Sequence, residues 1–155
     1  SGQSAAWPGE QGMDYAYAQF FTGRQDTGIM DHYRAHLSDG FPGRTLSAVC
    51  VSAAPTRQEA LEQSLMAANF RGSLGTGRPV TFVTASQMDA ETRSLLTSYV
   101  LSNEDTIFVG DYDEVADKLT AFQDAHHVDE LMLISYIDNV QTKVERYRQL
   151  AKRLI

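Results

Sequence analysis

The run Gly110-Asp-Tyr-Asp-Glu-Val-Ala-Asp-Lys-Leu119, followed by Val128-Asp-Glu-Leu-Met-Leu-Ile134, reveals more of the architecture than the rest of the chain. It predicts a short strand ending at Gly110, a helix opened by the capping pattern Asp111-x-x-Glu114, and a second buried strand. A strand–helix–strand unit of this kind closes a parallel sheet. An amphipathic helix from Asp138 to Leu154, with Asp138 as its N-cap, is expected to cover that sheet.

Working outward, four apolar runs predict strands, and helical patterns separate them. The strands are Tyr15–Phe21, Leu46–Ala53, Thr106–Val109 and Glu130–Tyr136. Apolar and polar residues do not alternate strictly in these runs, so each strand is expected to be covered on both faces, as in parallel sheets. Further helices are predicted for Ser4–Gln11, for Thr27–Leu37, after the capping box Thr56-x-x-Glu59, and for Asp89–Leu101. The glycines between Arg71 and Met88 predict a long irregular connection.

Length and composition fit a single globular domain spanning residues 1–155, with 43% hydrophobic and 21% charged residues. The alternation of predicted strands and helices makes its class α/β. The net charge of −7 argues against a nucleic-acid or anionic-membrane surface. The sequence contains no run of 18 apolar residues, so no membrane span is predicted. A lone Cys50 excludes an intrachain disulfide and fits a reducing cytoplasm. The start at Ser1, without Met or leader, indicates a cut, a processed end or an artificial boundary.

The two carboxyl-terminal motifs resemble the end of the luciferase-like flavin monooxygenases. In that family a strand leads into a Gly-x-x-x-Glu-Val helix, and a "Val-Asp-Glu-Leu" strand and a last helix follow. Here Gly110, Glu114-Val115 and Val128–Leu131 occupy those places. The resemblance implies an eight-stranded β/α barrel, which usually runs to about 250 residues. It therefore predicts that this chain is the carboxyl-terminal half of such a barrel, with its last three or four strands.

The amino end resembles the middle of the same family, where a Gly-Ser-Ser-like turn and the following helix bind the flavin phosphate. Ser1, Gly2, Gln3 and Ser4 take these positions, although Gly2-Gln3 departs from the commonest form. Helix amides and serine hydroxyls suit a dianion. The alternative is that Ser4 only caps a helix. The resemblance also makes Gln19, expected at the end of the next strand, a candidate contact of the flavin ring; it could equally be an ordinary polar strand end.

The implied function is FMN-dependent or deazaflavin-dependent oxidation of a small organic substrate, with the cofactor carrying the chemistry. Most catalytic groups of the family lie in the absent first half, so the isolated chain is expected to be inactive. Its expected partner is that missing half or a second copy. The alternative is a non-catalytic half-barrel that serves as a binding or assembly module and dimerises.

The remaining motifs give little information about function. The run Gly72-x-x-Gly75-x-Gly77 matches neither the P-loop nor the dinucleotide-binding fingerprint, so it predicts a flexible linker. The pairs His126-His127 and His32/His36 lack metal-ligand spacing with other donors, so no metal site is predicted. Asp129-Glu130 is interpreted as structural, and Cys50 as a small packed hydrophobe.

Overall fold

A computed structural model describes residues 2–22, 28–76, 79, 82–104 and 106–155. Helices and parallel strands alternate along these residues, as the sequence predicts. In chain order they are α1 (Gly2–Glu10), β1 (Tyr15–Tyr17), α2 (Gln19–Thr22), α3 (Gly28–Arg34), β2 (Thr45–Ala54), α4 (Arg57–Thr76), a 3-10 turn (Ala85–Gln87), α5 (Ala90–Leu101), β3 (Ile107–Asp111), α6 (Tyr112–His126), β4 (Glu130–Ile134) and α7 (Val140–Leu154).

Strand β2 is the centre of the sheet, and all three other strands pair with it in parallel. β1 pairs with its first three residues, Thr45–Ser47, and β3 pairs with its last five, Cys50–Ala54. β4 pairs with residues 46–50 and so overlaps both. Because one edge of a strand holds one partner at each residue, β4 occupies one edge of β2, and β1 and β3 share the other. In a β/α barrel each strand pairs with the next strand along the chain. The β1-β2 and β2-β3 pairs keep that order, whereas β4 pairs with β2 off this path.

This shared edge explains why β1 is shorter than predicted. Continuing the register from Tyr17 opposite Ser47 would bring the chain opposite Cys50, where β3 begins. The segment instead turns into α2 at Gln19, with a bond from the Phe21 amide to the Ala18 carbonyl of 3.1 Å. The predicted strand to Phe21 is therefore wrong beyond Tyr17.

Capping side chains open the helices that follow the strands. The Thr56 hydroxyl accepts from the Glu59 amide at 3.2 Å, and Asp111 accepts from the Asp113 and Glu114 amides. At α7 the cap is Asn139, whose side chain accepts from Thr142, so the prediction of Asp138 is wrong by one residue.

Two predicted boundaries also change in the helical layers. α4 continues through Gly72 and Gly75 to Thr76, so the irregular connection does not begin at Arg71. Each of these glycines lowers the stability of a helix by about 1 kcal/mol relative to alanine. Hydrogen bonds from Arg71 to Phe20 and Thr106 stabilise α4 in this region. α3 ends at Arg34, three residues before the predicted end at Leu37. The predicted first residue Thr27, and Gly77 and Arg78 of the predicted connection, lie outside the described residues.

Two apolar clusters sandwich the sheet, but only in part. On one face Val49, Val51 and Ala53 pack with α1, α3, α6 and α7. On the other face Cys50 and Ala54 pack with α4 and α5 near the carboxyl end of β2. The amino-terminal part of this second face stays uncovered: Ala16 and Glu130 are exposed there, and Met132 is 52% exposed. The expectation that every strand is covered on both faces is therefore wrong for β4.

Candidate functional site

The proposed phosphate-binding residues lie at the amino end of α1. Gly2 and Gln3 open this helix, and Ser4 follows in its first turn with an exposed side chain. Ser1 lies outside the described residues. The first amides of a helix have no partner inside it, so they are donors for an anion or water. The structure thus places Gly2, Gln3 and Ser4 together where such a site needs them, and their binding role stays a prediction.

The opposite end of α1 is fixed against α3. The Gly9 carbonyl accepts from the Ser38 amide at 3.0 Å, and Ala5 is fully buried. Gly9 lies so close to the end of α3 and the turn after it that a Cβ there would be 3.0 Å from the carbonyl oxygen of Tyr33 and 2.9 Å from that of His36. This close packing fixes the direction in which the amino end of α1 points.

Gln19 opens α2, two residues after β1 ends at Tyr17, whereas the sequence predicts it at the end of the strand. It is completely buried in this chain, and its Nε2 donates to the Thr106 carbonyl at 3.4 Å. Its burial leaves none of its surface open to a ligand in this structure. The role of Gln19 as a flavin contact therefore stays a prediction.

Arg71 is a residue that sequence reasoning missed, because it was assigned to the irregular segment. Its Nε donates to the Phe20 carbonyl at 3.0 Å, and its Nη atoms donate to the Thr106 hydroxyl at 3.2 Å and the Thr106 carbonyl at 3.0 Å. One guanidinium thus joins α4 to the segment after β1 and to the start of β3. Its planar set of donors suits several fixed acceptors at once.

Tyr136 and Cys50 lie beside Arg71 at the carboxyl end of β4. Burial raises the pKa of Tyr136, as does the nearby Cys50 thiol, while Arg71 lowers it. Burial also raises the pKa of Cys50 to about 11, which keeps the thiol protonated and unreactive. Cys50 is therefore a packed hydrophobe, as predicted, and supplies no nucleophile.

Three aromatic rings meet above this strand end. Phe70 and Phe82 stack with centroids 5.5 Å apart, and Tyr136 lies 5.2 Å from Phe70 and 6.0 Å from Phe82. Phe82 is 61% exposed, so the cluster presents an aromatic surface to solvent. An open cleft of about 570 Å³ lies beside it, lined by Met66, Phe82, Thr84, Gln87, Ile134–Asp138 and Lys143. Barrel enzymes place their sites at the carboxyl ends of strands, which is where this cleft lies. A strand-end tyrosine was the one sequence signal that could have located it.

The opposite end of the sheet is held by structural contacts. The Asp129 carboxylate accepts from the Thr45 amide at 2.7 Å and the Thr45 hydroxyl at 2.8 Å, which joins the starts of β4 and β2. These hydrogen bonds hold the pKa of Asp129 below its usual range, although partial burial opposes them. Asp129 is thus a structural acid, in agreement with its interpretation from sequence.

No group of three possible metal-ligating side chains occurs among the residues that the structure describes. His36 instead contacts the His32 carbonyl through Nδ1 at 2.8 Å, an ordinary helix contact. In the same described ranges no helix has the length and apolar character needed to span a bilayer.

Two curated proteins of Bacillus subtilis (strain 168) match almost the entire chain. The uncharacterized protein YwcH is 26% identical over 158 residues, which covers 97% of this chain and 46% of YwcH. An N-acetyl-S-alkylcysteine monooxygenase is 24% identical over 160 residues, which covers 100% of this chain and 47% of that enzyme. No family model matches the chain.

Solved structures show the same partial coverage. The crystal structure of apo-MsnO8 superposes with a TM-score of 0.76 at 26% identity, covering 99% of this chain and 48% of the other. The oxygenating constituent of 3,6-diketocamphane monooxygenase from Pseudomonas putida, a type II Baeyer-Villiger monooxygenase in complex with FMN, superposes with a TM-score of 0.59 at 14% identity. That match covers 97% of this chain and 44% of the enzyme, and it shows the fold alone.

The two neighbours with a named activity are monooxygenases, and the predicted resemblance to luciferase-like monooxygenases and the predicted α/β half-barrel fold are confirmed. The match is distant and partial. The chain spans about half the length of the curated relatives it matches.

Proposed function

We propose that this chain is the carboxyl-terminal half of a luciferase-like monooxygenase that uses reduced FMN, or a deazaflavin, and dioxygen to oxidise a small organic substrate. One observation carries the proposal. The similarity runs along nearly the whole chain and covers about half the length of each named monooxygenase. The uncovered part of the sheet, including the exposed Met132, supports it, because a barrel interior needs the other half to close it.

The residues present fit a flavin phosphate. The amino end of α1 offers helix amides and the exposed Ser4, and α3 holds the helix in place through Gly9. When bound, the reduced flavin would supply the electrons that activate dioxygen. The chain's own task is then to hold the phosphate and to form one wall of a pocket that keeps water away from the ring.

The wall of that pocket is formed at the carboxyl ends of β1 and β4. Arg71 fixes the segment that follows β1 by its bond to Phe20, and Tyr136 with Phe82 forms the apolar surface beside β4. The groups that act on the substrate belong, by this proposal, to the other half of the barrel. The isolated chain therefore binds FMN weakly and does not oxidise substrate. The buried, protonated Cys50 suits the cytoplasmic location that we propose.

A second function is favoured by the same uncovered sheet face. A half-barrel that buries this face against a second copy would be a binding or assembly module without catalysis. The two functions differ in a direct measurement. Under the enzyme proposal, mixing this chain with a matching first half yields FMN binding and oxygenation; under the module proposal it yields a stable homodimer that does neither.

The phosphate site is tested by Ser4→Ala in the longer enzyme. Loss of one charge-assisted hydrogen bond, worth roughly 1.5–3 kcal/mol, lowers FMN affinity about tenfold to a hundredfold. Ser98→Ala is the matched control, since its exposed hydroxyl donates to the Ser94 carbonyl of its own helix. Equal FMN affinity for both variants, with unchanged melting temperature, would show that Ser4 does not bind the phosphate.

A substrate panel tests the reaction itself. N-acetyl-S-alkylcysteine is the first compound to include, because one relative carries its name. Turnover by the isolated chain with reduced FMN and oxygen would contradict the half-enzyme proposal.

A further inference from the structure

A second cleft, of about 350 Å³, lies between α4 and the start of α7 and adjoins the aromatic surface. It shares Met66, Thr84 and Tyr136–Asp138 with the larger cleft beside Phe82. Its volume falls within the range of small-molecule sites. Its position does not depend on the flavin site at α1, so its ligand can be argued from its own lining.

Two buried donors line this cleft without a hydrogen-bond partner among the described residues. They are Nε2 of Gln63 on α4 and Nε of Arg146 on α7. Leaving such a donor unsatisfied costs roughly 1–3 kcal/mol, and more for a charged group, so both are expected to meet an acceptor. Arg146 keeps its other end occupied, with Nη2 3.6 Å from Glu59 and Nη1 3.4 Å from the Tyr112 hydroxyl.

Charged side chains of both signs line the two clefts, so the lining does not repel an anion. Glu62 faces the cleft but is paired with Arg93, and the acidic Asp138 and the basic Lys143 both line the adjoining cleft. Lys143 has no ion-pair partner in the part of the chain that the structure describes. The amino-terminal turn of α7, including Thr142, also borders the cleft and contributes the positive end of a helix dipole.

Apolar side chains form part of the remaining walls, beside the polar Thr84 and Ser86. Met66 is almost fully buried at the base, and Ile137, Tyr136 and Phe82 continue the surface toward the larger cleft. A ligand that fills both parts needs a compact acceptor at one end and an apolar chain or ring at the other.

We propose that this double cleft binds a small organic carboxylate, with its oxygens on Gln63 Nε2 and Arg146 Nε and its apolar part against Met66 and Phe82. A carboxylate satisfies both donors at once, because each of its oxygens accepts one of them. The proposal goes beyond the flavin-dependent reaction and stands without it.

Octanoate binding to the 155-residue chain tests this site by isothermal titration, with octanol as the probe that keeps the apolar chain but lacks the carboxylate. Octanoate is expected to bind about tenfold more tightly than octanol. Gln63→Leu removes one donor at nearly constant volume and is expected to weaken octanoate binding about tenfold, with octanol unaffected. Gln141→Leu, on the exposed surface of α7, is the matched control and leaves both affinities unchanged.

Arg146→Lys is a second variant, because lysine can keep the charge beside Glu59 while it removes the Nε donor. It is expected to weaken octanoate binding in the same way, and circular dichroism confirms that the variants are folded. Equal binding of octanoate and octanol, octanoate binding unchanged by both Gln63→Leu and Arg146→Lys, or no octanoate binding at millimolar concentration would each overturn the proposal.

Discussion

The contact between α1 and α3 predicts that two Gly→Ala substitutions change stability in opposite directions. At Gly9 an added Cβ would lie 2.9 Å from the His36 carbonyl oxygen and 3.0 Å from that of Tyr33. Both are backbone atoms, and they cannot swing aside as the end of a long side chain can. At Gly72, inside α4, the same Cβ meets no atom within 4 Å.

The magnitudes follow from these contacts. Replacing a helical glycine by alanine contributes about 0.5–1 kcal/mol of stability when space is available, which is the expected gain for Gly72→Ala. Overpacking costs about 1–3 kcal/mol, which is larger than that gain over most of its range, so Gly9→Ala is expected to have a net loss of about 1 kcal/mol. The displaced α1 should also bind FMN less tightly in the longer enzyme, because its amino end would point elsewhere.

Urea denaturation of the two variants, followed by circular dichroism, measures both effects. We expect the free energy of unfolding to fall for Gly9→Ala and to rise for Gly72→Ala. If Gly9→Ala is stabilised as much as Gly72→Ala, α1 does not pack on α3 as closely as described. The argument that this contact directs the phosphate-binding turn would then fail with it.

Three further predictions follow from other contacts. Asp129→Asn should lower stability at pH 7 by about 0.5–1 kcal/mol, a value discounted for the partly exposed side chain. Because the pKa of Asp129 is lowered on folding, its contribution to stability is present above its unfolded pKa of about 3.9 and is lost as the pH falls through the folded value. The difference in unfolding free energy between wild type and variant, measured by urea denaturation, should therefore vanish at acid pH. A difference that persists there would refute the role of the charge. Cys50, whose pKa is about 11, should react with a thiol reagent at pH 8 only as fast as the chain unfolds, and rapid labelling of the native protein would contradict its burial. Met132→Lys on the uncovered sheet face should shift the chain toward monomer in sedimentation velocity, whereas Val140→Lys, also exposed but on α7, should not. Identical sedimentation of the two variants would remove this face from the interface.

Local patterns predicted the element types well because they depend on neighbours along the chain. The Thr56 and Asp111 caps and the spacing of apolar residues in α6 and α7 are short-range signals. The resemblance at Gly110–Glu114 and Val128–Leu131 located the chain in the correct fold for the same reason. The α/β alternation was therefore predictable before any contact was known.

What the sequence left open depends on contacts between distant residues. The end of β1 at Tyr17 follows from the position of β3, far along the chain, which no local pattern encodes. The extension of α4 past Gly72 follows from Arg71 binding Phe20 and Thr106. The cleft beside Tyr136 was missed because its walls come from α4, the 3-10 turn, β4 and α7, and only folding brings these together.

The central position of β2 has a consequence for the order in which the chain can fold. Each of its three partner strands is separated from it by at least one helix, and β4 is made long after β2. Loops of that length must close before any strand pair forms, which slows the search for the native state. During synthesis, the β4 edge of β2 stays without its partner until Ile134 has left the ribosome. We therefore expect a nascent chain that ends before β4 to depend on chaperones.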